Sequence, residues 1–448
     1  MVNDRRLWHF GVLSFTGTGH VNPLIALSQE LKARGHTVTF FEKPKIAGRV
    51  RNAGLDFIPL ASDDHLPKKT SPAAGNSGIR SDISTLRFNL NRVSNDIEIF
   101  LRNTPPILAR AGVDALIINE VALTGPTVAE LLRLPYFLIS TSVPHNFGWS
   151  PSPWLSPRDY RGTWLEQLQK MLLELSVLRI RGPIRNAIDR YRRHAGLPPL
   201  QEMQKLCPYL AHITQIPECL DLPRGSLPAN FHYTAPFISN TARPPVEFPW
   251  NRLAGRPVIY ASLGTTRNIQ PALFHMIAEA CRGIDAQLVI SLGGRFAPED
   301  FPGLPGAPLV VRYAPQLEVL KRAAIVITHA GPNTVLETLM EGVPMVAIPI
   351  AHDQPAIAAR LARLKIAEVL PLRNISPEKI RIAIATLLHD PSYRDRSQST
   401  AAILRSLRGA EQAADIIETA LAHHSPARPV PTPATYASPL TPASQARG

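Results

Sequence analysis

The chain has 448 residues, 45% of them hydrophobic, and at roughly 150 residues per domain this length predicts two or three globular domains. Its three cysteines, Cys207, Cys219 and Cys281, form no C-x-x-C pair, which excludes a disulfide framework and a zinc ribbon. The 48 Lys and Arg against 35 Asp and Glu give a net charge of +13, which favours negatively charged partners such as nucleotides or anionic lipid. No apolar run reaches the roughly 18 residues that a membrane-spanning helix needs.

The first half of the chain alternates short apolar runs with helical patterns, which is typical of β-α-β units. A first strand is expected over Trp8–Ser14, followed by a glycine-rich loop and a helix from about Val21 to Arg34. Further strands are expected at Thr37–Phe41, Leu55–Pro59, Ala115–Ile118 and Pro135–Ile139, with helices near Lys45–Ala53 and Gly125–Leu132. The pattern predicts a parallel sheet with helices on both faces.

The second half repeats this rhythm. Its strands are expected at Val258–Ala261, Ala286–Ser291, Pro308–Val311, Ala324–Thr328, Pro344–Ala347 and Ala367–Val369. We predict an N-terminal domain over 1–235, a linker over 236–252, a C-terminal domain over 253–424 and a disordered proline-rich tail over 425–448. Because ligands of doubly wound sheets bind at the carboxyl ends of the strands, we expect the active site in the cleft between the domains.

The first loop, Gly17-Thr18-Gly19-His20, admits two interpretations. Gly-x-Gly between a strand and a helix is half of a dinucleotide fingerprint, and Glu42 ends the next strand, where an acid could hold the ribose of NAD. Against an NAD-dependent oxidoreductase, Asn22 occupies the position of the third glycine. Alternatively, His20 projects into the cleft at a helix N-terminus, whose dipole favours the neutral ring that a general base requires. Taken alone, the loop fits a catalytic His20 and a helix cap equally well.

Polar residues of the second half follow the ends of predicted strands and the starts of helices. They are Ser262, Thr265, Tyr313, Gln316, His329, Gly331, Asn333, Thr334, Glu337, Asp353 and Gln354. A strand end followed by a helix N-terminus is an anion site, so His329, Asn333 and Thr334 are candidate phosphate ligands. Tyr313 offers a ring on which a base can stack, and Glu337 can accept hydrogen bonds from a ribose. Helix capping explains one such residue but not so many in this order.

This segment resembles the donor-binding signature of UDP-dependent glycosyltransferases of the GT-B fold, family 1 type. The likeness is strongest from Val311 to Arg360. The likeness extends over about Trp8–Leu404 and is greatest to the bacterial branch with the zeaxanthin and macrolide glycosyltransferases. It implies two facing doubly wound Rossmann-like domains and a UDP-sugar as donor substrate. The chain contains no Asp-x-Asp, so we expect turnover without a metal or other cofactor.

The resemblance also implies a role for each candidate residue. His20 would be the catalytic base, and Gly331 would allow close approach of the diphosphate. The donor would be held by Tyr313 and Gln316 at the uracil, Glu337 at the ribose, Ser262, Thr265, His329, Asn333 and Thr334 at the phosphates, and Asp353 and Gln354 at the sugar.

One position departs from the family pattern. Such enzymes pair the base with an Asp at the end of the strand that corresponds to Ala115–Ile118, and that position is Asn119 here, followed by Glu120. Either Glu120 substitutes through a local shift, His20 works through Asn119 alone, or the protein is a catalytically impaired partner that binds UDP. Our hypothesis is a functioning inverting hexosyltransferase.

The acceptor is expected to be an apolar small molecule with a hydroxyl, such as a carotenoid, polyketide or phenolic of secondary metabolism, and the sugar to be glucose. The segments Phe57–Phe100 and Val143–Met171 carry aromatic residues that fit an acceptor pocket and a packed core equally well. The basic segment Trp164–Arg193 indicates the solvated face of a packed helix, with contact to an anionic membrane as the alternative. We expect a cytoplasmic protein, peripheral at the inner face of the membrane under that alternative, and no nucleic-acid partner.

Overall fold

The structure, a computed structural model, describes residues 6–60, 97–144, 182–199, 209–221, 227–239, 243, 245–253, 255–265 and 270–424. The predicted tail and most of the two predicted acceptor segments lie outside the described residues. Within them the chain forms two parallel sheets, each with helices on both faces, and this confirms the predicted fold class.

The first sheet has seven strands in the order β3-β2-β1-β4-β5-β6-β7, and neighbouring strands are parallel. The strands are β1 (His9–Leu13), β2 (Thr37–Glu42), β3 (Asp56–Pro59), β4 (Ala115–Asn119), β5 (Tyr136–Ser140), β6 (Ala211–Thr214) and β7 (Phe231–Tyr233). The central strands β4, β5 and β6 are buried at every position. Their near-continuous apolar sequences reflect burial on both faces of a parallel sheet.

The helices of this part are α1 (Thr18–Ala33), α2 (Ala47–Asn52), α3 (97–111), α4 (Gly125–Leu132) and α5 (182–194). Leu24, Leu27 and Leu31 lie on one face of α1 and pack against Phe10 on one side of the sheet. On the opposite side, Val128 of α4 belongs to the second cluster of buried apolar residues.

The second sheet has six strands in the order β10-β9-β8-β11-β12-β13, also parallel throughout. The strands are β8 (Val258–Ser262), β9 (Gln287–Ser291), β10 (Leu309–Val311), β11 (Ala323–Thr328), β12 (Met345–Ala347) and β13 (Ala367–Val369). The helices are α6 (Pro271–Cys281), α7 (Gln316–Leu320), α8 (Pro332–Met340), α9 (Gln354–Arg363), α10 (Pro377–His389), α11 (Pro391–Ser406) and α12 (Ala410–Ala422).

Two strands of the first sheet, β6 and β7, were not among the strands expected from the sequence. Their sequences, Ala-His-Ile-Thr and Phe-His-Tyr, are short and each has a central histidine, so neither reads as an apolar run. In β6, His212 is nevertheless buried, because its ring hydrogen-bonds the Ser140 hydroxyl of β5 at 2.7 Å. A polar partner that only the folded sheet supplies therefore permits this strand.

The last described helix, α12, packs against the first sheet although its sequence lies in the predicted C-terminal domain 253–424. Ile417 and Leu421 join the apolar cluster around Phe10. On the rim of this contact, Arg34 pairs with Asp415 at 2.6 Å and with Glu418 at 2.8 Å. Helix α12 thus returns to the first domain and connects the two domains.

A buried ion pair joins the two domains near their junction. Arg360 of α9 is fully buried and donates to Asp221 Oδ1 through Nε at 3.2 Å and Nη2 at 2.9 Å. Tyr233 donates its hydroxyl proton to Asp221 Oδ2 at 3.0 Å. Apolar residues of the same junction, Ile216 and Leu220, belong to the core of the second domain.

The predicted basic segment Trp164–Arg193 is described only from residue 182 onward, in α5. Arg192 of this helix is fully buried, whereas the sequence predicted a solvated basic face. It pairs with Glu130 of α4 at 2.8 Å and donates to the Pro198 carbonyl at 2.7 Å. This arginine fixes α5 on α4 and is not available to a membrane surface. Among the helices of the described ranges, none has the length and apolar character to cross a bilayer.

We predict that Asp221→Leu lowers the free energy of unfolding by about 3–5 kcal/mol, because Arg360 would stay buried without its carboxylate. The double variant Asp221→Leu/Arg360→Met should recover most of this loss. Urea unfolding followed by circular dichroism measures both, with Asp395→Asn on the exposed face of α11 as the control. Equal midpoints for Asp221→Leu and the control would contradict the prediction.

Candidate active site

The carboxyl ends of four adjacent strands of the first sheet form one wall of the candidate site. Asn119 ends β4, Thr141 follows β5 and Gln215 follows β6. His20 lies in the first turn of α1, directly after β1, which is the neighbour of β4. Because ligands of such sheets bind at this edge, these side chains face the place where a substrate is expected.

The loop before His20 differs in detail from the sequence expectation. The helix begins at Thr18 rather than near Val21, so His20 is its third residue. Gly17 has an extended backbone conformation, with φ −66° and ψ 134°, and neither Gly17 nor Gly19 adopts the left-handed conformation. The Gly19 carbonyl accepts a hydrogen bond from Asn333 of the second domain at 3.0 Å.

The ring of His20 is held by a hydroxyl. Its Nδ1 lies 2.7 Å from Thr141 Oγ1, and the edge of the Phe15 ring packs against it at 5.6 Å between centroids. Asn119 Nδ2 donates to the same Thr141 Oγ1 at 3.0 Å. The predicted pair of His20 and Asn119 is therefore joined through Thr141.

Glu120, the alternative partner of His20, takes part in a different cluster. Its carboxylate accepts a short hydrogen bond from the Ser140 hydroxyl, and the His212 ring lies 3.7 Å from its other oxygen. All three groups are buried. Of the two candidates, the structure places Asn119 in the hydrogen-bond network of the His20 ring.

A hydrogen-bonded bridge crosses the cleft. Asn333, at the start of α8, donates through Nδ2 to Gly19 O and accepts through Oδ1 from Gln215 Nε2 at 3.0 Å. Gln215 Nε2 also donates to the Thr141 carbonyl at 2.7 Å. The sequence had assigned Asn333 to the diphosphate, whereas its side chain here connects the start of α8 to the loop of His20.

The strongest anion-binding geometry lies at the end of β11. Gly331 is the N-cap of α8 and supplies no side chain to its first backbone N–H groups, so these are available to a ligand. The ring of His329 lies between two glycines, since a Cβ added at Gly264 or Gly331 would approach it to 2.5 Å. Between His329 and Gly331, Ala330 has the left-handed φ of 62°, which is strained for a residue with a side chain.

The electrostatics of His329 fit a neutral hydrogen-bond donor. Burial lowers its pKa to about 4, and a hydrogen bond to the backbone of Ser262 works weakly in the opposite direction. Its buried Nδ1 has no hydrogen-bond partner in the described part of the chain. Hydrogen-bond donors at this position, the His329 ring and the backbone N–H groups at the start of α8, are suited to an anionic ligand.

The residues predicted for the nucleoside form a connected network. Gln316 donates to Glu337 Oε2 at 2.7 Å and to Thr334 Oγ1 at 3.5 Å. Glu337 is buried and pairs with Arg243 through its other oxygen. Tyr313 is 47% exposed, and its phenol lies so close to Gly294 that a Cβ added there would approach it to 2.1–2.3 Å.

The remaining predicted residues surround this network. Ser262 ends β8 as a buried residue, whereas Thr265 is exposed in the following loop. Asp353 is the N-cap residue of α9. Gln354 uses its Oε1 to accept two backbone N–H groups of the preceding loop, both at 2.8 Å, so it shapes the loop that would face the sugar.

The dinucleotide alternative is not supported by this geometry. Glu42 is buried, its burial raises its pKa to about 7, and its carboxylate accepts a hydrogen bond from the backbone N–H of Lys43 at 2.9 Å. The described residues also contain no group of three His, Cys, Asp or Glu side chains placed to hold a metal ion.

Three residues of the site escaped the sequence reasoning: Thr141, Gln215 and Arg243. Thr141 lies two residues after the predicted strand Pro135–Ile139, so the strand-end rule could have identified it. Gln215 follows a strand that the sequence did not reveal. Arg243 lies in the predicted linker, and no pattern marks it as a partner of Glu337.

Comparison with known proteins identifies the family of the chain. Residues 98–406 match the model of the UDP-glucoronosyl and UDP-glucosyl transferase family, and residues 12–144 match the N-terminal domain of glycosyltransferase family 28. Zeaxanthin glucosyltransferase of Pantoea ananas is 28% identical over 93% of this chain and 97% of its own length. Zeaxanthin glucosyltransferase of Pseudescherichia vulneris is 30% identical over 92% and 98%.

Among solved structures, the glycotransferase of kitacinnamycin superposes with a TM-score of 0.71 at 24% identity, over 93% of this chain and 99% of its own. This likeness supports the GT-B fold. The family match spans well over half of the sequence and includes both Asn119 and the region from His329 to Glu337. The chain belongs to the UDP-glycosyltransferases of family 1, enzymes that transfer a sugar from a UDP-sugar donor to an acceptor.

Proposed function

We propose that this enzyme transfers glucose from UDP-glucose, with inversion, to a hydroxyl of an apolar small molecule, and that His20 is the general base. The observation that carries the proposal is the hydrogen bond between Asn333 and the Gly19 carbonyl. It brings the open N-terminus of α8 next to the turn that carries His20. A leaving diphosphate bound at α8 and a base at His20 would then lie on opposite sides of one reacting carbon.

The donor would be held mainly by neutral groups. The uracil stacks on Tyr313, the ribose hydroxyls face the carboxylate of Glu337, and the diphosphate accepts hydrogen bonds from His329 and from the backbone of α8. Because these donors are fixed before the reaction, they stabilise the charge that grows on the diphosphate as the glycosidic bond breaks. Gln354 and Asp353 lie on the loop that would face the sugar.

In the transfer step, His20 takes the proton of the acceptor hydroxyl, and the oxygen attacks the anomeric carbon from the face opposite the diphosphate. The bond from that carbon to the diphosphate oxygen breaks, and its electron pair leaves with UDP. One displacement of this kind inverts the anomeric configuration. No step requires a metal ion, because the helix N-terminus and His329 supply the electrostatic stabilisation.

Two observations support the proposed class of acceptor. The relatives of highest identity given above are named zeaxanthin glucosyltransferases, and zeaxanthin is an apolar molecule with terminal hydroxyls. The predicted acceptor segments of the first domain are also rich in aromatic residues, although most of them lie outside the described residues. A hydroxylated carotenoid is therefore the first acceptor to test, with polyketides and phenolics as the next classes.

We predict that His20→Ala lowers kcat by about 10²–10⁴-fold, which is the usual contribution of a general base. UDP release from UDP-glucose, measured with zeaxanthin, a macrolide and a flavonoid as acceptors, tests this. The variant should keep the rise in melting temperature that UDP produces, because the donor site lies on the second domain. His389→Ala, at the exposed end of α10, is the matched control.

If UDP raises the melting temperature of the wild-type protein but no acceptor stimulates UDP release, the proposal of catalysis fails in favour of a UDP-binding partner protein. If His20→Ala retains full acceptor-dependent release, the role of the base is wrong.

We predict that turnover in EDTA equals turnover in Mg²⁺. The physical reason is that α8 and His329 provide the charge stabilisation that a divalent cation supplies in metal-dependent transferases. Initial rates in buffers with EDTA or with added Mg²⁺ give the answer, and a strict requirement for the ion would contradict the mechanism.

We predict that His329 makes the protein less stable in mild acid. Its pKa is lowered from 6.5 to about 4 in the folded protein, so between these values the unfolded chain binds a proton that the folded protein does not. Stability is therefore complete above pH 6.5 and falls by about 3 kcal/mol as the pH decreases to 4. Urea midpoints of wild type and His329→Gln at pH 7 and pH 5 measure the effect.

The loss of stability between pH 7 and pH 5 should be smaller in His329→Gln than in wild type. His389→Gln, which changes an exposed histidine, should behave as wild type. An identical pH dependence in all three proteins would show that His329 does not remain neutral by burial.

A further inference from the structure

The orientation of the Asn119 amide is fixed by a backbone donor. The N–H of Val121 can only donate, so the Asn119 atom that lies 3.1 Å from it is Oδ1. The other end of the amide, Nδ2, therefore faces Thr141 Oγ1 at 3.0 Å and must be the donor in that contact. An asparagine here presents a proton to Thr141 where a carboxylate would present an acceptor.

This orientation decides the direction of the Thr141 hydroxyl. Within the described residues its oxygen makes two hydrogen bonds, one with Asn119 Nδ2 and one with His20 Nδ1 at 2.7 Å. The first contact uses a lone pair of the oxygen, so the single hydroxyl proton has His20 Nδ1 as its acceptor. Thr141 is buried, and a buried hydroxyl proton without an acceptor is costly.

A nitrogen that accepts carries no proton, and this fixes the tautomer of the neutral His20 ring. With Nδ1 accepting from Thr141, the ring proton is on Nε2. Nδ1 is occupied by Thr141, so Nε2 is the nitrogen that would take the proton of the acceptor hydroxyl. In the resting arrangement the general base is therefore in the unproductive tautomer.

On the basis of the proposed transferase function, we propose that Thr141 is the positioning residue that links His20 to Asn119. Through it, the Asn119 amide holds His20 as the Nε2–H tautomer, so that the side chain at position 119 limits the rate of proton abstraction. To react, His20 must carry its proton on Nδ1 and donate it to Thr141, whose own proton then needs another acceptor. The Asn119 amide nitrogen cannot accept it.

A carboxylate at this position would remove the conflict. With Asn119→Asp, one oxygen still accepts the Val121 N–H and the other accepts the Thr141 hydroxyl proton. Thr141 can then accept from His20 Nδ1–H, and Nε2 then carries no proton. As the acceptor proton moves to Nε2 and the new carbon–oxygen bond replaces the bond to UDP, the carboxylate also stabilises the imidazolium.

The kinetic experiment uses the full-length protein with UDP-glucose and the best acceptor of the panel. Asn119→Asp should raise kcat by at least about tenfold, a part of what general-base catalysis contributes, with the Kd for UDP unchanged. The gain should persist in the Thr141→Ser background, which keeps the hydroxyl, and vanish in the Thr141→Val background. Asn374→Asp, on the exposed surface, adds the same charge and should leave kcat unchanged.

A second readout does not depend on turnover. Nitrogen-15 NMR of protein with labelled histidine reports which ring nitrogen carries the proton, and the His20→Ala spectrum assigns the His20 signals. The wild-type ring should be protonated on Nε2, and the ring in Asn119→Asp on Nδ1. A residue with a purely structural role would not move the proton.

The proposal is overturned if wild-type His20 is protonated on Nδ1, or if Asn119→Asp has the same effect on kcat with and without the Thr141 hydroxyl. If the tautomers behave as expected but no variant transfers sugar to any acceptor, the function proposed above fails while the hydrogen-bond assignment stands. Melting temperatures of Thr141→Val and Thr141→Ser separate a folding defect from a change in the ring.

Discussion

The interdomain hydrogen bonds of Asn333 are the constraint on which the rest of the site depends. Its amide donates to the Gly19 carbonyl and accepts from Gln215, so one side chain joins the start of α8 to the first-domain wall. The two parallel sheets fold around separate cores, and neither contains the whole site. The geometry of the candidate site therefore exists only while the domains keep this relative position.

Several other contacts hold that position. The buried pair of Asp221 and Arg360 closes the junction between the domains, and α12 returns from the second domain to pack on the first sheet. Charged groups taken out of water stabilise a structure only when their partners are in place, so the buried pair penalises any other docking geometry. The domains are thus fixed at their edges, while the cleft between them is lined by small and polar groups.

Within the cleft, the carboxylates are already engaged by other protein groups. Glu337 pairs with Arg243 and Gln316, and Glu120 accepts from Ser140. The other groups of the candidate site are the ring of His329, the open start of α8, and the chain from His20 through Thr141 to Asn119. A diphosphate can be bound by such groups because fixed dipoles in a partly buried site act strongly on a negative charge.

The sequence by itself determined the fold class and the position of most strands, because burial on both faces of a parallel sheet leaves continuous apolar runs that are visible in one dimension. It also identified His20, His329 and Glu337 as candidates, because strand ends and helix starts mark the polar edge of such a sheet. It did not reveal β6, whose buried His212 needs the Ser140 hydroxyl as a partner.

Only the tertiary structure decided how the candidates combine. It showed that Asn333 hydrogen-bonds Gly19, that Thr141 joins His20 to Asn119, and that Arg243 pairs with Glu337. Each of these contacts joins residues that are far apart in the chain and depends on the direction of a single donor or acceptor. Such directions follow from how the sheets and domains pack, and a pattern of residue types along the sequence does not contain them.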